Sequence, residues 1–299
     1  MPSDAWPSLH LEEWRPSYET LHLWMQIVGK IRLALTPLQN HWWNTTLYLT
    51  PRGLTTSAMP YQGGAVELRF DFIDHKLVIE TSWRLVPAID LRPQSSADLY
   101  ATLMSALSES GIDVTIWPVT VEMPAAIRLD SDRDHSSYDR EAVHRWWRIM
   151  LSVDTVLKEF RANFIGKSSP VHFFWGSFDL AASRFNGRRA SQRREGPLAA
   201  MMNEAYSHEV ISAGFWPGSG TISDTAFYAY AAPQPDGFAQ AKITPAAAYY
   251  DTNFGEFILM YEDVRRSGKQ REVLLDFLQS TYEAGANLGH WDRAALERS

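Results

Sequence analysis

Leu21-His22-Leu23-Trp24-Met25-Gln26-Ile27-Val28 and Val143-His144-Arg145-Trp146-Trp147-Arg148-Ile149-Met150 read as one phrase written twice. Downstream of the first, His41-Trp42-Trp43 is followed by Leu47 and Leu49. Downstream of the second, His172-Phe173-Phe174 is followed by Phe178 and Leu180. The pattern predicts a helix feeding a His-aromatic-aromatic strand in each half. It implies an α+β chain of two similar lobes from an internal duplication, each with mostly antiparallel strands packed against helices. Residues 1–117 and 138–299 would be the two repeats, packed as one unit. The polar, proline-bearing stretch 118–137 would be the linker. Duplicated halves pack against each other, and ligands favour such seams.

Working outward, Leu21, Trp24, Met25, Val28, Ile31 and Leu35 recur at helical spacing, with Ser17 as the expected N-cap. Val66, Leu68, Phe70 and Phe72 alternate with Glu67, Arg69 and Asp71, the mark of a half-buried strand. Asp74-His75 reads as the turn into a return strand through Leu77 and Ile79. Ser95 with Asp98 resembles a capping box before the stripe Leu99, Leu103, Leu107, and Ile112, Val114 and Ile116 read as a strand. Val143 through Phe164 predicts a long amphipathic helix, capped at Gly166. Further strands are expected at 171–175 and 226–231, and a closing helix around Leu274, Leu278 and Tyr282.

Composition narrows the chemistry. Cysteine is absent from the 299 residues, so disulfides, thiolate nucleophiles, iron–sulfur clusters and Cys-ligated zinc are excluded. A formal net charge of −7 argues against a general nucleic-acid binder. No apolar run is long enough for a membrane span and the N-terminus lacks an apolar signal core, so a cytoplasmic location is expected. Twelve Trp, twelve Tyr and fourteen Phe predict aromatic-lined cavities beside a dense core. The glycine fingerprints of dinucleotide and triphosphate sites, and the nucleophile elbow, are missing.

His172-Phe173-Phe174-Trp175-Gly176-Ser177-Phe178-Asp179 is the sharpest candidate for chemistry. As a strand it places His172, Phe174 and Gly176 on one face. An imidazole in an aromatic wall suits a proton shuttle, with Asp179 to orient it. Gly176 allows a bulge or close approach by a ligand. His41 holds the equivalent place in the first half, and His41 with His172 and a carboxylate would make a divalent-metal site. Packing inherited by both copies is the plainer account of the pair. His208-Glu209 offers a second acid–base pair, although adjacent residues point apart in regular structure. Gly214-Phe215-Trp216-Pro217-Gly218-Ser219-Gly220 reads as a connecting loop or a lid. Arg184 and Arg188, in a basic run that extends to Arg193 and Arg194, would grip an anion. Trp175, Trp216, Tyr228 and Tyr230 would wall the pocket.

Several strings resemble a known family. They are Asn40-His41-Trp42-Trp43, Arg52-Gly53-Leu54-Thr55-Thr56, Phe70-Asp71-Phe72-Ile73-Asp74-His75, Ser169 through Leu180, Ser207-His208-Glu209, Gly214 through Gly218 and Tyr249-Tyr250-Asp251. The family is the bacterial domain of unknown function 5996, and the resemblance runs over nearly the whole chain. It implies a bacterial, cytoplasmic protein forming one unit, and brings no activity or catalytic residue with it. The expected function is an enzyme acting on a small anionic molecule in an aromatic, histidine-bearing pocket. The alternatives are a non-catalytic small-molecule sensor and a structural or interaction protein.

Overall fold

The computed structural model describes residues 5–191, 195–196, 198–218 and 220–298. Helix α1 (Leu11–Leu35) is followed by a 3-10 turn (Asn40–Thr45). Strands β1 (Tyr48–Thr50), β2 (Gly53–Thr55), β3 (Met59–Tyr61), β4 (Gly64–Asp71), β5 (Lys76–Thr81) and β6 (Ile89–Asp90) come next. They form an antiparallel sheet ordered β1-β2-β4-β5-β6, with β3 on β4. Helices α2 (Ser96–Glu109) and α3 (Arg140–Ala162) follow. The second part adds β7 (His172–Phe174), β8 (Asp179–Arg189), α4 (Ala199–Ala205), β9 (His208–Trp216), β10 (Ala226–Ala232), β11 (Tyr249–Asp251) and β12 (Glu256–Met260). It closes with α5 (Tyr261–Arg266), α6 (Gln270–Leu288) and α7 (Arg293–Leu296). The second sheet is also antiparallel, ordered β11-β12-β10-β9-β8-β7. The chain is therefore α+β with two antiparallel sheets and several helices.

Most local readings of the sequence hold. Ser95 Oγ accepts from Asp98 N at 3.1 Å and caps α2, as the capping pattern requires. The alternating segment from Val66 to Asp71 lies in β4, which stops one residue short of Phe72. The buried stripe Val143, Trp146, Trp147, Met150, Val153 and Leu157 is one face of α3.

The exceptions have local causes. α1 begins at Leu11, not at Ser17, and carries Pro16 inside it, because Leu11 and Trp14 bury themselves as its first apolar turn. Ser17 caps nothing of its own helix; its buried hydroxyl accepts from Asp139 N at 2.8 Å, where α3 begins. α3 ends at Ala162 with Asn163 as its C-cap, short of Gly166. Ile112, Val114 and Ile116 make no strand. His41-Trp42-Trp43 is a tight turn with left-handed His41 and Trp42, so the His-aromatic-aromatic strand occurs only in the second half. The stretch 118–137 is packed: Leu129 is buried, and Gln26 of α1 bonds Val121 by Nε2 to its O at 2.8 Å and by Oε1 from its N at 2.9 Å.

The two sheets are stitched where Leu47 and Phe173 exchange a pair of backbone bonds, both 2.8 Å. One face of the second sheet, carrying Phe173, Leu180, Ala182, Ile211, Ala213, Phe215, Phe227, Ala229, Phe257 and Leu259, belongs to the main core. That core also takes side chains from α1, α3 and α6 and from the first sheet. The opposite face of the second sheet is left for the site.

Candidate functional site

Strand alternation sets that opposite face. Asp179, Ala181, Ser183 and Phe185 of β8, Val210, Ser212 and Trp216 of β9, Tyr228 and Tyr230 of β10 and Glu256 of β12 point to one side. They line a cavity of about 470 Å³, together with Phe174, Ser177, Phe254 and Glu122. Such a volume lies in the range of small-molecule sites. The cavity's far wall is the 3-10 turn (His41, Trp42, Trp43, Thr45) and α4 (Met201, Met202, Ala205). His41 Nδ1 donates to the Ala205 carbonyl at 2.9 Å and ties those two elements together.

Three carboxyl groups enter this space: Glu122, Asp179 and Glu256. Ser177 donates to Asp179 Oδ1 at 2.5 Å, and the Tyr228 hydroxyl donates to Asp179 Oδ2. Burial raises the Asp179 carboxyl, against those two bonds. Burial and then the Asp179 charge raise Glu122, while the nearby Ser177 hydroxyl works in the opposite direction. Glu256 is pushed up to about 7 by burial and then by Asp179 and Asp251. Burial likewise lifts the Tyr228 and Tyr230 phenols well above their usual range, so both remain donors. Tyr230 shares a 2.8 Å bond with the Tyr206 hydroxyl, and Ser183 and Ser212 share one of 2.9 Å. Among the described lining residues there is no lysine or arginine.

Two glycines make the arrangement possible. A Cβ on Gly214 would sit 2.5 Å from the Tyr228 hydroxyl, so the ring crosses the strand over a bare backbone to reach Asp179. A Cβ on Gly176 would sit 2.6 Å from Glu122 Oε2. Gly176 does permit a close approach, and the group that approaches is Glu122. His22 of α1 holds the same turn from behind, its Nε2 donating to the Gly176 and Trp175 carbonyls at 2.9 and 3.1 Å. Left-handed backbone gathers here: His41 (φ 58°), Trp42 (60°), Glu122 (58°) and Phe178 (60°). Non-glycine residues adopt that conformation only when their surroundings impose it.

The residues singled out from sequence separate into two groups. Asp179, Trp216, Tyr228 and Tyr230 line the cavity. His172 does not: it stands opposite Ala181 on the same side of the sheet, but on edge strand β7, where Trp43 and Phe174 cover it, and the strand expected over 172–179 stops at a turn over 175–178. His172 is wholly buried against Phe174 (4.6 Å between ring centres) and Trp43 (5.9 Å), with both ring nitrogens lacking a partner. Burial pushes its pKa down to about 3, and no carboxylate bonds it. Trp175 lies on the α1 side, over Gly29, with Lys30 above its ring at 5.6 Å.

Arg184 points to the core face, wedged against Phe160 (3.5 Å), Tyr282 (4.2 Å) and Phe164 (5.1 Å) and donating to the Phe160 carbonyl. Arg188 pairs with Glu209 at 2.6 Å outside the cavity. The expected anion grip is therefore not assembled from these two residues, and Arg193 and Arg194 lie outside the described residues. His208 meets His41 ring to ring at 5.6 Å, while Glu209 bonds Asn186 and Arg188, so the adjacent pair does diverge. His41 and His172 flank Trp43, and among the described residues no group of three His, Asp or Glu side chains is placed to hold a metal. The glycine-bearing segment at 214–216 is the end of strand β9, not loop; Ser219 lies outside the described residues.

Sequence reasoning missed Glu122, Ser177 and Glu256. Glu122 sits in the presumed linker and Glu256 at the head of a five-residue strand. The one usable signal was Gly176, already marked as a point of close approach.

Fold and site together define a two-sheet α+β protein with an acidic, aromatic-walled pocket. The chain belongs to a family of unknown function (DUF5996), whose model matches residues 6–298. No curated protein and no solved structure matches it. Among the described residues no helix is long and apolar enough to cross a membrane.

Proposed function

We propose that this protein binds a small organic cation, an ammonium or amidinium compound, in the cavity between the second sheet, the 3-10 turn and α4. The observation that carries the reading is the lining: three carboxyl groups with no lysine or arginine among the described neighbours, beneath aromatic faces. Burying acids together raises their pKa values and leaves unbalanced charge whenever they ionise. A cation relieves that penalty, and rings such as Trp42, Trp43, Trp216 and Tyr230 attract it through their quadrupoles. The ligand's charge is thus opposite to that expected from Arg184 and Arg188. The order of long helix, antiparallel sheet and helix in each half supports an ancestral duplication. Such an ancestry would explain a cavity lined from both sides of residue 138.

Titration calorimetry tests the binding reading with tetramethylammonium, choline, benzylamine and benzamidine, against benzoate and glucose as anionic and neutral controls. Binding confined to the cations, and lost in Asp179→Asn and Trp216→Ala, is the expected result. Binding of benzoate or glucose in preference to every cation overturns it.

A further inference from the structure

Asp179 opens β8 and Glu256 opens β12. Strands β9 and β10 lie between them, and each of the three pairings from β8 to β12 is antiparallel. Three antiparallel steps reverse the chain direction, so the two strand starts fall at opposite ends of the sheet as well as on opposite sides of the β9–β10 pair. Asp179 and Glu256 therefore occupy diagonal corners of the cavity floor. Three strand spacings, about 14 Å, separate their backbones across the sheet, and the side chains close part of that gap from either end. The third acid, Glu122, belongs to the Asp179 corner, because it lies against Gly176 in the turn that leads into β8.

The floor between the corners is made of rings and of hydroxyls already in use. Tyr228 stands in register with Gly214, and Tyr230 with Ser212. Their rings stack at 6.1 Å with 16° between the planes. Tyr228 and Ser177 give their protons to Asp179. Tyr230 is bonded to Tyr206, and Ser183 to Ser212. A hydroxyl has one proton to give and two lone pairs to accept with, so this lining is richer in acceptors than in donors. Asp179 spends two of a carboxylate's roughly four acceptor positions on those bonds and keeps the others. A molecule seated here has to bring N–H groups to the corners and an apolar middle to the rings. Met201 and Met202 of α4 meet that middle from the far wall with adaptable side chains.

From this geometry we infer that the bound molecule is a linear diamine, one ammonium group held at the Asp179–Glu122 corner, the other at Glu256, and the alkyl chain laid over the Tyr228 and Tyr230 rings. The inference rests on the cation reading and adds to it a second charge, a spacing and the need for N–H bonds. An ammonium group of this kind carries three donors, enough to bond a carboxyl and neighbouring hydroxyl oxygens together. A monoamine fills one corner and leaves the acid at the other without a partner. A quaternary ammonium brings the charge but no N–H.

Calorimetry on the full chain, at physiological salt so that surface attraction is screened, compares putrescine and cadaverine with their monoamine and amino-alcohol counterparts, in which one ammonium becomes a methyl or a hydroxyl group. The diamines should bind ~10-fold tighter or better, the effect of one further bond to a charged group. Along the linear diamines from ethylenediamine to octamethylenediamine, affinity should pass through a maximum set by the distance between the corners. Glu256→Gln should erase the advantage of diamine over monoamine. Diamines no tighter than monoamines and amino alcohols overturn the two-ended ligand, and the cation reading still stands because the monoamines bind. An advantage that survives Glu256→Gln, or an affinity that only climbs with chain length in both series, overturns it as well. Failure of every amine and quaternary ammonium to bind removes both readings. The comparison of end groups uses the parent protein alone, so it decides the matter even where the variant fails to fold.

Discussion

Gly214→Ala places a methyl group 2.5 Å from the Tyr228 hydroxyl oxygen, 2.6 Å from its Cζ and 2.5 Å from the Leu180 carbonyl oxygen, where ordinary contact begins at 3.4 Å. The shortfall of about 0.9 Å cannot be met by the strands, because Leu180 and Phe215 are paired across β8 and β9. The Tyr228 ring must lift, and it stacks on Tyr230 at 6.1 Å, so both rings move. Overpacking of this kind costs about 1–3 kcal/mol. Losing the phenol bond to the buried Asp179 adds about 1.5–3 kcal/mol, the scale for a bond to a charged group. We expect a loss of roughly 3–5 kcal/mol in urea unfolding, a fall in melting temperature of about 6–10 °C, and loss of cation binding. Repeating the substitution in a Tyr228→Leu background separates the ring from the carbonyl: the shorter side chain should recover about 1–2 kcal/mol as a coupling energy. Gly214→Ala within about 0.5 kcal/mol of the parent, with binding intact, would refute the claim that a bare backbone at this position is what lets Tyr228 reach Asp179.

The Glu256 carboxyl, held near 7 in the free protein, gives the binding a pH signature. A cation favours the ionised form and lowers that pKa, so binding releases a proton. Affinity should therefore climb as pH rises toward 7 and level off above it. If the bound carboxyl fell back to its ordinary 4.5, the rise would reach at most roughly 300-fold. Calorimetry in buffers of differing ionisation enthalpy reads the proton directly, and Glu256→Gln should flatten the profile. Affinity that falls with rising pH would contradict the assignment. His172→Leu removes two buried, unpartnered nitrogens and substitutes an apolar side chain. Stability is expected to stay within about 1 kcal/mol of the parent or rise, with cation binding retained; a loss of binding would put the imidazole back into the function.

Periodic and local features were legible from sequence, and contacts between distant segments were not. The stripe of α3, the alternation of β4 and the Ser95 cap each depend on neighbours within a few residues. Tyr228 and Tyr230 could be assigned to one face because strands alternate. The failures share a different cause. His172 looked catalytic because an imidazole among rings is chemically suggestive, but β7 lies at the sheet edge, where Trp43 and Phe174 cover it. Arg184 looked like an anion grip, yet it sits one residue out of phase with the site and is drawn into the core by three aromatic faces. Glu122 was invisible because its importance comes from Gly176, more than fifty positions away, whose missing side chain makes room for it.

The paired bonds between Leu47 and Phe173 have a consequence for dissecting the protein. They make the start of one sheet the neighbour of the other's outer strand, while the pocket takes Glu122 and the 3-10 turn from the N-terminal part and its floor from the C-terminal part. A polypeptide cut between residues 123 and 138 would yield two pieces, each with an unfilled seam and neither with a complete cavity. Mixing them should rebuild ligand uptake only as fast as the pieces reassociate, which turns this stitch into a handle for split-protein reporters.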